Sequence, residues 1–212
     1  MADVEVAAFA RANLPPPPCS VLEVGAGEGE LAAALSDAGY AVTAIDPEPR
    51  GDNVHGVALG DLDPTGGLFA GAVAIRSLHH VHPLESSLER LAERLTPGAP
   101  LVIDEMDVAA LDHRAADWWL QQQAAQGEPK EKTADQLVEE HQEHLHPLDT
   151  ILNALAPWFT LGSPIRGPWL YRWNLGPSFR LEEETLIAAG RLPAMGARVV
   201  AIRHSHALPD QA

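Results

Sequence analysis

Gly25, Gly27 and Gly29 alternate with Ala26 and Glu28 directly after the run Val21-Leu22-Glu23-Val24, and Leu31 opens an Ala/Leu-rich helical pattern. Glycine is required where the backbone turns sharply or approaches a ligand too closely for a Cβ. A buried strand, a Gly-rich turn and a helix together make a nucleotide-type site at the C-terminal edge of a parallel sheet. A pyrophosphate would sit on the helix N-terminus, where negative charge is favoured. Here Glu28 and Glu30 occupy that turn, and no glycine completes G-x-G-x-x-G. Two carboxylates repel phosphate and tolerate an uncharged or cationic ligand. Ala41-Val42-Thr43-Ala44-Ile45 reads as a second strand ending at Asp46-Pro47. A carboxylate there can accept both hydroxyls of a ribose. The pattern suits adenosine without phosphates.

Other reactive side chains gather further along. His79 and His80 lie in Ser77-Leu78-His79-His80-Val81, a loop after an apolar strand at the ligand edge. At least one is expected to face substrate, and His80 is a candidate general base. Glu105 ends the next apolar strand at the same edge, where it could position an acceptor or simply cap and be solvated. The segment 139–146 holds Glu140, His141, His144 and His146. His141 and His144 share a helix face, and Glu140 can meet His144. That spacing permits metal ligation, but H-E-x-x-H is missing and no further ligand set is evident, so no metal is assigned. His144 is a second candidate base, and His146 a pocket residue. All five tryptophans, Trp118, Trp119, Trp158, Trp169 and Trp173, fall outside the cofactor half. Most are expected to pack a helical cap, while Trp118, Trp169 and Tyr171 are candidates to line a substrate pocket.

These segments resemble the class I S-adenosylmethionine-dependent methyltransferases of small-molecule type. The resemblance rests on VLEVGAGEG (21–29), AIDP (44–47), GDLDP (60–64), AGAVAIRSLHHV (70–81) and LTPGAPLVIDE (95–105), in that order. It implies that Glu23, Gly25, Ala26, Gly27 and Gly29 line the methionine and ribose side of S-adenosylmethionine, with S-adenosylhomocysteine as the product. Asp46 and Pro47 would hold the ribose, Asp61 and Leu62 would meet the adenine, and Arg76 and Ser77 would close the site. One departure from the family pattern stands out: the fourth strand usually begins with an acidic residue after a Phe, and here Phe69 is followed by Ala70.

The elements that must position these residues follow from the apolar pattern. Strands are expected near 20–24, 41–45, 54–59, 71–76 and 100–104, with helices near 3–13, 29–38 and 84–95. Pro15 to Pro18 end the first helix, and Thr96-Pro97-Gly98 ends the third. Residues 107–125, 133–146 and 148–156 read as helices and form the expected cap, 107–156, inserted between strands five and six. Alternation of Trp169, Tyr171 and Trp173 suggests a strand with one aromatic face. A helix near 181–190 and a strand near 197–203 complete a single α/β domain, 1–212. Its Rossmann-like sheet has seven mostly parallel strands with helices on both faces, and an antiparallel last pair. Within it, 1–106 is the cofactor half and 157–212 carries the final strands and helix.

Lys plus Arg total 14 against 30 Asp plus Glu, a formal charge of −16. Such a balance argues against nucleic acid and anionic membranes as partners, because a phosphate backbone is bound through cationic patches. Cys19 stands alone, which excludes a disulfide framework and a Cys-based zinc site, and with no apolar leader or span a cytoplasmic protein is expected. The leading function is methyl transfer to a small-molecule oxygen or nitrogen, suited to specialised metabolism. The alternatives are cyclase- or lyase-type chemistry with the same cofactor, or a non-catalytic cofactor-binding partner protein. A nicotinamide oxidoreductase is disfavoured by Glu28 and Glu30. Oligomeric state is not legible in the sequence.

Overall fold

The computed structural model describes residues 4–205. Its elements run α1 (Val4–Asn13), β1 (Ser20–Val24), α2 (Glu30–Asp37), β2 (Ala41–Asp46), β3 (His55–Gly56), β4 (Gly71–Ile75), α3 (Leu84–Glu93) and β5 (Pro100–Met106). They continue with α4 (His113–Ala125), α5 (Ala134–His144), α6 (Leu148–Leu155), β6 (Phe159–Leu161), β7 (Ile165–Gly167), α7 (Arg180–Ala188) and β8 (Gly196–Arg203). The sheet order is β3-β2-β1-β4-β5-β8-β6, with β7 also paired to β8. β1 lies parallel to β2 and β4, β4 is parallel to β5, and β6 is antiparallel to β8. This is the Rossmann-like, mostly parallel sheet expected.

The sheet has eight strands rather than seven. The extra one comes from a break between β6 and β7 at Gly162-Ser163-Pro164. Proline donates no ladder hydrogen bond, and a Cβ on Gly162 would lie 2.7 Å from the Val200 carbonyl oxygen. The strand expected over Trp169, Tyr171 and Trp173 is instead a 3₁₀ turn, Leu170–Arg172. The third strand shrinks from 54–59 to His55–Gly56.

By contacts the chain forms two compact units. The first comprises Met1–Glu105, Asp149–Pro164 and Arg198–Ala212, and the second comprises Met106–Leu148 and Ile165–Ala197. The first unit's core packs Leu22, Ala72, Ala74, Leu101 and Ile103 of the central strands against Leu88 and Leu91 of α3 and Ile151 and Leu155 of α6. A second cluster sets Leu31 and Leu35 of α2 with Val6 and Ala10 of α1 against Val21, Val73 and Val102. Alternate strand residues thus feed two helical layers, because successive side chains point to opposite faces. Helix α6 belongs to this first unit, whereas the expected cap contained it. The second unit instead gains 165–197.

The second unit has its own core of Leu111, Trp118, Trp119, Leu137, Trp169, Leu170 and Met195. A polar clasp closes it. The fully buried Glu183 on α7 accepts the backbone N–H groups of Trp169 (2.7 Å), Leu170 (2.9 Å) and Tyr171 (2.8 Å). Burial raises its carboxyl above the ordinary value while these donors pull it back. A second carboxylate, Asp107, pairs with Arg166 at 2.6 Å and accepts weakly from the N–H of Leu148 at 3.4 Å.

Candidate functional site

The turn after β1 is built by backbone strain that only glycine relieves. Gly25, Gly27 and Gly29 sit at φ of 71°, 54° and 75°. The N–H groups of Gly25 and Ala26 both donate to the Ile45 carbonyl at the end of β2 (2.9 and 3.0 Å), which fastens the turn to its neighbour. A Cβ on Gly25 would lie 2.2 Å from the Cβ of Ser77, so the turn and the loop after β4 touch at this point.

Asp46 ends β2. Its Oδ2 accepts from the Gly27 N–H at 2.9 Å and its Oδ1 from the Glu48 N–H at 2.8 Å. Each oxygen keeps acceptor capacity beyond its one N–H, since a carboxylate offers about four lone-pair sites. Glu23 is 4% exposed on β1, and its Oε2 has no hydrogen-bond partner. Desolvation pushes its carboxyl up to about 7, opposed by the backbone N–H of Ala32 in the first turn of α2. Arg50 lies close by, with Nη2 3.1 Å from where a Gly27 Cβ would be. Leu62 is buried beside the short turn Leu59–Asp61, and Asp61 itself is exposed.

A strained residue opens the loop after β4. Arg76 takes φ of 55°, and its N–H donates to the Asp104 carbonyl at 2.8 Å. Left-handed backbone is uncommon for a residue with a Cβ and marks a place where surroundings dictate conformation. Ser77 and His79 are buried, while Arg76 and His80 are exposed. Glu105, fully buried, holds this loop: its Oε1 accepts from the N–H groups of Ser77 (2.8 Å) and Leu78 (2.6 Å). Its Oε2 lies 2.5 Å from His79 Nδ1. The rings of His79 and His80 are 4.2 Å apart, tilted by 46°. Glu105 was expected to position an acceptor directly, or to be a solvated cap. Its carboxylate is instead committed to the histidine loop.

Glu23, Gly25, Gly27, Asp46, Ser77, His79 and Glu105 thus form one continuous constellation in the first unit. The remaining expectations fall in the second unit. His144 is exposed, with Nδ1 2.8 Å from the Glu140 carbonyl oxygen of its own helix. His141 makes the equivalent contact to Leu137 at 2.8 Å and stands edge-on to Trp173 at 4.5 Å. Glu140 pairs with Lys132. Among the described residues no group of three or more His, Cys, Asp or Glu side chains converges as a metal site would. His146 is half-buried just beyond α5. Trp118, Trp169 and Tyr171 are 9%, 5% and 6% exposed, and both tryptophans belong to the second unit's core. Trp118 donates to Glu182 at 3.3 Å, and the Tyr171 hydroxyl accepts from Arg172 Nε at 2.9 Å.

The residues of the constellation fit the adenosyl cofactor that the turn suggests. An orphaned, buried carboxylate oxygen on Glu23 matches a cationic amine. The Cβ-free turn admits close backbone approach, and the unused acceptor capacity of Asp46 matches a diol.

A family model described as a methyltransferase domain matches residues 3–149. No curated protein sequence matches the chain. Among solved structures, the S-adenosylmethionine-dependent methyltransferase from Mesorhizobium loti superposes with a TM-score of 0.58 at 16% identity, covering 91% of this chain and 95% of that one. The N-methyltransferase NodS from Bradyrhizobium japonicum, solved with S-adenosylhomocysteine, gives 0.58 at 13%, covering 96% and 87%. The Burkholderia thailandensis 1,6-didemethyltoxoflavin-N1-methyltransferase, solved with 1,6-didemethyltoxoflavin and S-adenosylhomocysteine, gives 0.57 at 21%, covering 95% and 77%. At these identities the likeness is one of fold.

Proposed function

The chain belongs to the methyltransferase-domain family, and on that premise we propose that it moves the methyl group of S-adenosylmethionine onto an oxygen or nitrogen of a small-molecule acceptor. The observation that carries this reading is the joining of the Gly25–Gly29 turn, Asp46 and the unpartnered Glu23 oxygen in one cradle. When bound, the cofactor supplies an electrophilic methyl group on a sulfonium, so the protein need only orient an acceptor in line and take a proton. Asp46 holds the ribose hydroxyls with the capacity left on its two oxygens. Glu23 meets the amino-acid end as an ionised carboxylate. Ala26 and Pro47 border the ribose, Asp61 and Leu62 the adenine, and Arg76 and Ser77 close the edge after β4.

The histidine loop supplies the acceptor side. His79 and His80 stand on it, next to the cofactor turn through the Ser77–Gly25 contact. His144 and His146, in the second unit, are further candidates for that role. A net charge of −16 favours neutral or cationic acceptors over nucleic acid or anionic membranes. No helix among the described residues is long and apolar enough to cross a membrane. Two of the structures with a similar fold are N-methyltransferases, which supports the nitrogen alternative.

The test is direct. Calorimetry should detect S-adenosylhomocysteine binding and no NAD binding. Incubation with methyl-labelled cofactor and a panel of phenols, carboxylates and amines should yield S-adenosylhomocysteine and a labelled product. Cofactor consumption without S-adenosylhomocysteine would favour cyclase- or lyase-type chemistry. Failure to bind S-adenosylhomocysteine at all would overturn the reading.

A further inference from the structure

We propose that Glu105 is a positioning residue that fixes His79 in its Nδ1–H tautomer and so presents Nε2 as the proton-accepting atom of the histidine loop. The inference rests on the methyl-transfer reading above, and it concerns a pair of buried side chains that reading leaves unexplained.

The geometry leaves little freedom. Glu105 is 0% exposed, and its Oε1 already accepts two backbone N–H groups, from Ser77 at 2.8 Å and Leu78 at 2.6 Å. Its Oε2 is 2.5 Å from His79 Nδ1. An ionised carboxylate has lone pairs and no proton to give, so Nδ1 must be the donor. In a neutral imidazole the other nitrogen, Nε2, then carries the lone pair. Among the described residues no other hydrogen bond engages the ring. The His79 side chain is only 7% exposed, so neither rotation nor tautomer exchange is free to occur in water. The loop's other flank is fixed too, because Ser77 lies against Gly25 of the cofactor turn. One carboxylate therefore sets three things together: the backbone of 77–78, the orientation of the ring, and which nitrogen is basic.

This arrangement does what a base-assisted methyl transfer requires. The proton of the acceptor's X–H group moves to Nε2 as X bonds to the methyl carbon. The bonding pair of the broken C–S bond stays on sulfur, which becomes a neutral thioether. The imidazolium so formed is offset by the adjacent carboxylate and later releases its proton to solvent. His80 is exposed beside His79, with ring centroids 4.2 Å apart.

The experiment reads the tautomer itself. The protein is labelled with ¹⁵N-histidine, and long-range ¹H–¹⁵N spectra are recorded near pH 8, with His79→Gln assigning the signal among ten histidines. The wild type should show His79 with Nδ1 protonated and Nε2 unprotonated. In Glu105→Gln the carboxamide oxygen still serves Ser77 and Leu78, and its NH₂ now donates to Nδ1. The tautomer should invert to Nε2–H. Adding S-adenosylhomocysteine should shift the His79 ring signals and leave those of the exposed His113 in place. Calorimetry on the same samples should show its affinity within about threefold of wild type for Glu105→Gln. In the acceptor assay above, Glu105→Gln should lower kcat about 10²–10⁴-fold with the KM for cofactor unchanged. An Nε2–H tautomer in the wild type overturns the proposal, and this reading needs only the assignment variant, not Glu105→Gln, to fold. A tautomer unchanged by Glu105→Gln, or full kcat with it inverted, overturns it as well. Loss of S-adenosylhomocysteine binding by the wild type would instead defeat the methyl-transfer reading.

Discussion

Replacing Glu23 by Gln should make the ligand-free protein gain stability relative to wild type as pH rises, and should weaken its cofactor binding. The carboxyl is 4% exposed and is pushed up to about 7 by desolvation, against an ordinary value of 4.5. Between these two values the folded state holds a proton that the unfolded state has released. The contribution of Glu23 to stability is therefore fully present below about pH 4.5 and is lost as pH rises through about 7. At about 1.36 kcal/mol per pH unit, ionising the buried group costs about 3 kcal/mol. Glutamine does not titrate, and its oxygen can keep the Ala32 N–H. Its burial carries a fixed cost that is the same at every pH, so the quantity to measure is a difference of differences. Urea unfolding of wild type and Glu23→Gln at pH 5 and pH 8.5, without ligand, should show the variant gaining about 2–3 kcal/mol relative to wild type across that interval. An unchanged gap between the two proteins would refute the assignment of a buried, unpaired carboxyl. Toward S-adenosylhomocysteine the variant should be the weaker binder. Losing a charge-assisted bond to the ligand's ammonium, about 1.5–3 kcal/mol, weakens affinity roughly 10–150-fold by calorimetry.

Asp46→Ala should weaken S-adenosylhomocysteine binding by a similar factor, about 10–150-fold, because a ribose diol loses a charged acceptor; calorimetry checks it. Gly25→Ala places a Cβ 2.2 Å from that of Ser77 at a φ of 71°, so it should lower Tm and abolish binding. Adding Ser77→Gly removes the collision but not the backbone strain, and should restore binding only in part. Glu183→Ala strands three buried N–H groups, each worth about 1–3 kcal/mol, and should destabilise the second unit by about 3 kcal/mol or more. Thermal unfolding followed by tryptophan fluorescence would report that loss.

The parts of this fold that local sequence determines were legible in it. Val21-Leu22-Glu23-Val24 followed by three alternating glycines has few structural solutions, and the acidic end of β2 falls where the sheet requires it. What was not legible depends on which way a side chain turns. In β5 every residue is buried, so alternation gives no sign that Asp104 turns to Arg198, 2.9 Å away, while Glu105 turns to the histidine loop. Likewise Glu182, Glu183 and Glu184 are adjacent acids on a polar-looking helix. Only the fold reveals that the middle one is buried and holds the 169–171 turn. That clasp also explains the mistaken strand. Trp169, Tyr171 and Trp173 alternate as a strand would, but three N–H groups that would enter a ladder are taken by one carboxylate.

The place of β8 bears on how the chain is made. In the sheet this last described strand lies between β5 and β6 rather than at an edge. The residues that pair with it leave the ribosome well before it does. Roughly 100 residues separate the end of β5 from the end of β8, which at about 5–20 residues per second is roughly 5–20 s of synthesis. Throughout that interval one edge of β5 lies open, with apolar residues Leu101, Val102 and Ile103 beside it. Nascent chains are therefore exposed to mispairing late in synthesis. A premature stop between the end of β5 and Gly196 leaves a polypeptide with its cofactor turn complete and its sheet unclosed, a species for chaperones and proteases to sort.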